Sequence, residues 1–369
     1  MWTYKQPTEI RFGTGERKAL PEVVARLGKR PIVVTDTGIR GLPTTAEIIE
    51  MLGPDTPVFS EVEPNPTVSS VDRLAETINA RSSDVVVALG GGSALDCAKA
   101  ACSVALQGVP TRRYHSEGAV FDSRRLPLIA MPTTAGTGSE VTPVSVLDDP
   151  EKGVKAPVVH DNFYPSVAVV DPELTLTMPA HVTAATGFDA LSHAIEGYWS
   201  KNHQPICDLM ALEAAGLFFK HFPNVLTDGS NLEAREGMSK VALLAGLAFQ
   251  LPRTASVHAC SYPLSSEYHL PHGVACAMTL DHFVRFNGDA MGERGVALAR
   301  AGGFADMPAL ADAIAGLKSR SGLVTNLSEA GVTEGELDAL VQASFHPIMN
   351  NNPRRVCAED LRQLYVQML

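Results

Sequence analysis

Asp189 and His193 stand four residues apart in GFDALSHAIEGY. On a helix that spacing turns both side chains the same way, close enough to share one ion. Farther along, SVHACSYPLSSEYHLPHGVACAM holds His258 and His272, fourteen residues apart across a Tyr-Pro and a Pro-His break. One carboxylate with three imidazoles suits Fe(II) or Zn(II) and disfavours Mg or Ca. Any one of these histidines, taken alone, reads more readily as a structural side chain than as a ligand. The Asp/His pair is what raises the metal reading.

A second chemistry sits earlier in the chain. The strand-like VVVAL runs directly into Gly90-Gly91-Gly92-Ser93, and a helical stretch from Ala94 to Ala105 follows. Glycines at a strand-to-helix turn let the backbone approach a phosphate, and the helix N-terminus offers free N–H groups. The same glycines could equally serve a tight turn. The segment Pro132-Thr133-Thr134-Ala135-Gly136-Thr137-Gly138-Ser139-Glu140 also follows a strand and is crowded with small hydroxyl donors. Two such turns at strand ends on one sheet would converge where open α/β sheets bind ligands. Asp36 closes the strand PIVVTD. There it either accepts ribose hydroxyls and repels a 2′-phosphate, or caps a helix. A GxGxxG fingerprint is absent, and GTGER, ahead of the first βα unit, reads as a turn.

The elements that must position these groups divide the chain. Short apolar runs, PIVVTD, DVVVALGGG, LPLIAMPTT and SVAVVD, alternate with helical stretches at 18–27, 68–80 and 94–105. That alternation predicts a parallel sheet covered on both faces. Beyond Ala180 the periodicity is helical throughout, as in LMALEAAGLFFKHF and REGMSKVALLAGLAF. The expectation is an α/β domain over 1–175 and an all-helical domain over 176–369, packed with a cleft between them. At 369 residues, two or three domains are expected. Acidic residues exceed basic ones by 41 to 30, and no Lys/Arg stripe supports nucleic-acid binding. No apolar run approaches the ~18 residues of a membrane span. The opening MWTYKQPTEI lacks the pattern of a signal peptide, which places the protein in the cytoplasm. The six cysteines form no CxxC pair and read as buried free thiols.

With both halves read, GGGSALDCAKA, MPTTAGTGSEVT, DALSHAIEGY and PHGVACAMTLDHFVRFN together resemble the signature segments of the iron-dependent, group III alcohol dehydrogenases. They occur in the family's order, and the likeness extends from EIRFGTG to the C-terminus. It implies a Rossmann-like N-terminal dinucleotide-binding domain and an all-α metal-binding domain, an architecture shared with dehydroquinate synthase. It also implies a homodimer, an NAD(P)-dependent alcohol dehydrogenase or aldehyde reductase activity, and one divalent metal, Fe2+ or Zn2+. Carried over by residue, the metal ligands fall on Asp189, His193, His258 and His272. The cofactor contacts fall on Gly91, Gly92, Ser93, Asp96, Thr133, Thr134, Thr137 and Lys155. Asp36 matches an acidic position that favours NAD(H) over NADP(H).

One departure matters. Many members carry a further histidine four residues past the third ligand, where this chain has Tyr262. A phenol can donate a hydrogen bond, but an ordinary pKa of ~10 makes it a poor base. The HACSYPL variant, AGLAFQLPRTAS and NNPRRV are similar to a subgroup containing phosphonoacetaldehyde reductases. That likeness implies reduction of phosphonoacetaldehyde to 2-hydroxyethylphosphonate, with Arg354 gripping the anionic tail bidentately. Arg112, Arg113, Arg124, Arg125 and Arg355 are further basic candidates, all open to a reading as surface partners of the excess carboxylates. The rival readings are a lactaldehyde- or butanol-type dehydrogenase, a dehydroquinate-synthase-like lyase and a non-catalytic scaffold.

Overall fold

The computed structural model describes all 369 residues. Six strands form a parallel sheet: β1 (Glu9–Phe12), β2 (Pro31–Val34), β3 (Val58–Phe59), β4 (Val85–Gly90), β5 (Leu128–Pro132) and β8 (Val167–Val170). Their order is β1-β8-β5-β4-β2-β3, so the central strand β4, VVVALG, is buried along its whole length. A separate antiparallel hairpin pairs β6 (Val144–Asp149) with β7 (Val154–Val159). The chain divides into two compact units, one comprising Lys5–Thr134 and Ser139–Thr177. The other comprises Met1–Tyr4, Ala135–Gly138 and Met178–Leu369.

In the sheet unit, side chains alternate between two cores with the period of two that strands impose. Ile32, Val34, Val86, Ala88, Leu128 and Ala130 pack with the helices Val68–Ala80 and Gly92–Gln107. Val33, Val85, Val87, Ile129, Met131 and Val169 pack with Leu20, Val23 and Ile48 on the other face. A sheet covered on both faces is what the unbroken apolar runs demand. The short edge strands and the hairpin lack such runs. The β7 segment VKAPVV is largely exposed, and a proline interrupts its apolar residues.

The second unit is helical. Its core gathers Phe188, Phe218, Phe222 and Trp199 around the helices Ala180–Trp199, Pro205–Thr227 and Leu232–Phe249. Two further helices, Ser256–Ser266 and His272–Ala301, follow. Close approach is built in at Gly273, where an added Cβ would lie 2.1 Å from the carbonyl oxygen of Ala185. That approach presses the start of the His272 helix against the helix that carries Asp189. No helix is long and apolar enough to cross a membrane.

Candidate metal and cofactor sites

The helix Ala180–Trp199 presents Asp189, His193 and, one turn on, Glu196, all buried. The helix Ser256–Ser266 starts from a non-helical Ala255 without a side-chain cap of its own. Glu196 fills that role from the neighbouring helix: its carboxylate accepts the N–H of Val257 at 2.7 Å and of His258 at 3.3 Å. The same carboxylate binds Nδ1 of His258. An anionic acceptor at Nδ1 keeps the proton there and leaves Nε2 bare as a ligand.

Nε2 of His258 then lies 3.0 Å from Nε2 of His193 and 3.7 Å from Oδ1 of Asp189. Nε2 of His272, at the first position of its helix, is 3.5 Å from the same oxygen. Asp189 Oδ1 is buried and has no hydrogen-bond partner. Donor atoms bound to one ion at ~2.0–2.2 Å sit roughly 3.0–3.6 Å apart. The spacing and the unpartnered buried oxygen therefore fit a divalent transition metal. Phe249 stacks on the His193 ring at 4.1 Å and shields it.

The charges follow from this packing. Burial, aided by the neighbouring His258 and His272, drives His193 well below the ordinary histidine pKa, so its ring is neutral. Burial pushes the Tyr262 phenol up, and its ring meets His346 edge-on at 5.0 Å.

Two residues of this centre escape a reading of the sequence. Glu196 has a signal in retrospect, lying three residues past His193 in HAIE. Cys276 is the other: Asp189, His258, His272 and Cys276 place ligand atoms within 4.8 Å of one another. Its spacing from His272 repeats that of Asp189 and His193. Of the six cysteines, Cys357 alone is exposed; the other five are buried free thiols.

In the sheet unit, Gly91 caps the helix Gly92–Gln107 without a side chain, leaving its first N–H groups to a ligand. A Cβ on Gly91 would come within 3.3 Å of Thr134, and one on Gly90 within 2.7 Å of Ala94 and 3.7 Å of Asp36 Oδ2. The turn is thus a tight cradle flanked by Thr134 and Asp36. Thr133 buries its hydroxyl without a partner. Asp36 also caps a short helix by accepting Ile39 N–H at 2.9 Å. Asn65 joins two of the expected residues: it donates its N–H to Ser93 at 3.3 Å and accepts from Lys155 at 2.9 Å. Thr137 lies in the 135–138 segment that clusters with the helical unit.

Asp96 turns elsewhere. Its carboxylate accepts from Ser139 at 2.6 Å and from Val146 N–H at 2.8 Å, with Lys99 3.7 Å away. That network ties the helix to β6. The arginines are similarly engaged. Arg112 binds Asp149, Arg113 binds Glu117, Arg124 binds Asp122, and Arg125 donates to the carbonyls of Asn162 and Tyr164. Arg354 stacks over Phe286 at 3.9 Å and approaches Asp360 at 3.5 Å. Arg355 instead lines a pocket of about 420 Å³ with Lys201, His346 and Asn350, and no carboxylate lines it.

Residues 7–172 match the iron-containing alcohol dehydrogenases, and residues 183–369 match the C-terminal region of the same family. The chain belongs to the iron-containing alcohol dehydrogenase family. Within it, the chain is 33% identical over 364 residues to an NAD-dependent methanol dehydrogenase of Bacillus methanolicus, covering 94% of this chain and 95% of the relative. A 1,3-propanediol dehydrogenase of Citrobacter freundii is 34% identical, covering 100% and 98%. The structure of sulfoacetaldehyde reductase from Bifidobacterium kashiwanohense in complex with NAD+ superposes with a TM-score of 0.96 at 46% identity, covering 100% and 98%. As a member of the iron-containing alcohol dehydrogenase family, the protein is an oxidoreductase acting between alcohols and aldehydes.

Proposed function

We propose that the protein is a metal-dependent, NADH-linked reductase of small aldehydes that carry an anionic tail, with phosphonoacetaldehyde as the leading substrate. Sulfoacetaldehyde is the second reading, favoured by the 46% identity to a sulfoacetaldehyde reductase. The two share an aldehyde carbon next to a tetrahedral oxyanion. The observation that carries the reaction is the buried, unpartnered Oδ1 of Asp189 facing the Nε2 atoms of His258 and His272.

Asp189, His193, His258 and His272 would hold the metal, iron by family and zinc as the alternative. Bound there, it supplies Lewis acidity toward a carbonyl oxygen, and the nicotinamide supplies the hydride. The residues of this chain do the rest. Glu196 fixes the proton of His258 on Nδ1. Phe249 covers the His193 ring and keeps water from one side of the centre. Tyr262, raised by burial, keeps its proton at neutral pH and is suited to donate a hydrogen bond rather than to abstract a proton. The Gly91 cradle with Ser93, Thr133, Thr134 and Lys155 would take the pyrophosphate and nicotinamide side of the cofactor. Asp36 would take the ribose and disfavour the 2′-phosphate of NADP(H).

For the tail, the Arg354–Arg355 pair divides its roles. Arg354 is engaged with Phe286 and Asp360, so Arg355 is the member placed to receive an anion, beside Lys201. The pocket wall His346 packs on Tyr262, one turn past His258. The test is NADH oxidation by metal-loaded enzyme with phosphonoacetaldehyde, sulfoacetaldehyde and propanal in parallel. The proposal expects either anionic aldehyde to be preferred over propanal by tenfold or more in kcat/KM. A charge-assisted contact is worth ~1.5–3 kcal/mol, so Arg355→Ala should raise KM for the anion roughly ten- to a hundredfold and leave propanal unchanged. Equal efficiency with propanal in the unmodified enzyme would reduce the protein to a general small-aldehyde reductase.

A further inference from the structure

The thiol of Cys276 has no assigned role in the reaction, yet it sits inside the metal centre. Its Sγ lies 3.8 Å from Nε2 of His272, one helical turn along the same helix. It is fully buried, and with Asp189, His258 and His272 it completes four ligand atoms within 4.8 Å of one another. A thiolate binds zinc at ~2.3 Å and an imidazole binds at ~2.0–2.1 Å, which puts the two donors about 3.1–3.6 Å apart in one coordination shell. The observed separation needs only a few tenths of an ångström of adjustment. The unpartnered Asp189 Oδ1, on a side chain only 4% exposed, points into the same space.

We propose that Cys276 is a metal ligand, added to the carboxylate and imidazoles, and that it biases the site toward zinc. This rests on the reading of Asp189, His258 and His272 as ligands. Ligation breaks the S–H bond and forms an S–metal bond, and the proton leaves to solvent. Thiolate is the soft donor in a set that is otherwise borderline or hard, and soft donors favour zinc over iron(II) beyond the ordinary affinity order.

X-ray absorption at the zinc edge of the zinc-loaded native enzyme tests this without any variant. One sulfur scatterer at ~2.3 Å among nitrogen and oxygen neighbours is expected. The cobalt(II)-substituted enzyme should show a sulfur-to-cobalt charge-transfer band in the near ultraviolet, absent from Cys276→Ser and Cys276→Ala. In Cys276→Ser zinc affinity should fall tenfold or more while iron(II) affinity changes less. A shell of nitrogen and oxygen alone around bound zinc, or a cobalt band that survives in both variants, overturns the assignment of Cys276 and leaves the Asp/His site standing. Failure of the native enzyme to bind metal at all would remove both.

Discussion

Replacing Glu196 by Gln tests how the protein prepares His258. The carboxylate is fully buried, and each oxygen has a fixed task. Oε1 accepts the Val257 N–H at 2.7 Å, while Oε2 faces the His258 N–H and Nδ1. A glutamine keeps one acceptor, and Val257 holds it. Its NH2 must then take the second position, facing the backbone N–H of His258 donor to donor. It would also present a donor to Nδ1, driving the ring proton to Nε2, the atom that should bind metal. Loss of such an orienting partner typically lowers metal affinity 10- to 100-fold, or about 1.4–2.7 kcal/mol. The unsatisfied His258 N–H adds ~1–3 kcal/mol to the cost of folding the metal-free protein. Chelator competition on folded apoenzyme measures the first effect, and denaturant unfolding without metal measures the second. A Glu196→Gln enzyme that holds metal within twofold of the native affinity would refute the tautomer argument.

The other predictions are shorter. Gly273→Ala drives a methyl into the Ala185 carbonyl, so it should shift His272, weaken metal binding more than tenfold and cost ~1–3 kcal/mol in a melting experiment. Asp36→Gly should bring NADPH efficiency up toward that of NADH, with only a few tenths of a kcal/mol lost from the cap on Ile39; native enzyme that uses NADPH equally well would argue against this role. Glu140 is buried and its pKa rises from 4.5 to about 7 because burial disfavours the charge. The folded state therefore keeps a proton that the unfolded chain releases, and stability falls as pH climbs from 4.5 to 7, by ~3 kcal/mol at most. Glu140→Gln should flatten that decline in a Tm-versus-pH series, and unchanged slopes would count against it. Lys99, lowered to about 8, acts in a separate window between 8 and 10.5, where stability should recover as pH rises.

Legibility in the sequence tracked burial. The four long apolar strands and the amphipathic helices announce themselves because both sheet faces are covered, and the helix over 68–80 falls where its pattern predicts. The edge strands β1 and β3 are only four and two residues long, and polar residues or a proline break the apolar runs of the β6–β7 hairpin, so none of them stands out in the sequence. Asp189, His193, His258 and His272 can be picked out by type and helical spacing, and the fold brings them within a few ångströms. Glu196 and Cys276 could not be ranked the same way. A carboxylate that holds a histidine sixty-two residues away has no local pattern, and a thiol in an apolar stretch looks like core. Asp96 shows a further role that its place beside the glycine turn does not announce: its oxygens accept from Ser139 and Val146 and tie the helix to β6. Arg354 likewise sits in the expected segment but is engaged with an aromatic face and a carboxylate.

The central claim is that Asp189, His193, His258 and His272 hold one metal on which aldehyde reduction depends. Anaerobic titration of chelator-stripped enzyme with Fe(II), and separately with Zn(II), tests it directly by following NADH oxidation with an anionic aldehyde. Activity should be lost on stripping, return in proportion to metal added and level off at one equivalent per chain. His272→Ala should stay inactive at every metal level while remaining folded. Full turnover by metal-free enzyme, or an active His272→Ala that binds metal normally, would contradict the account.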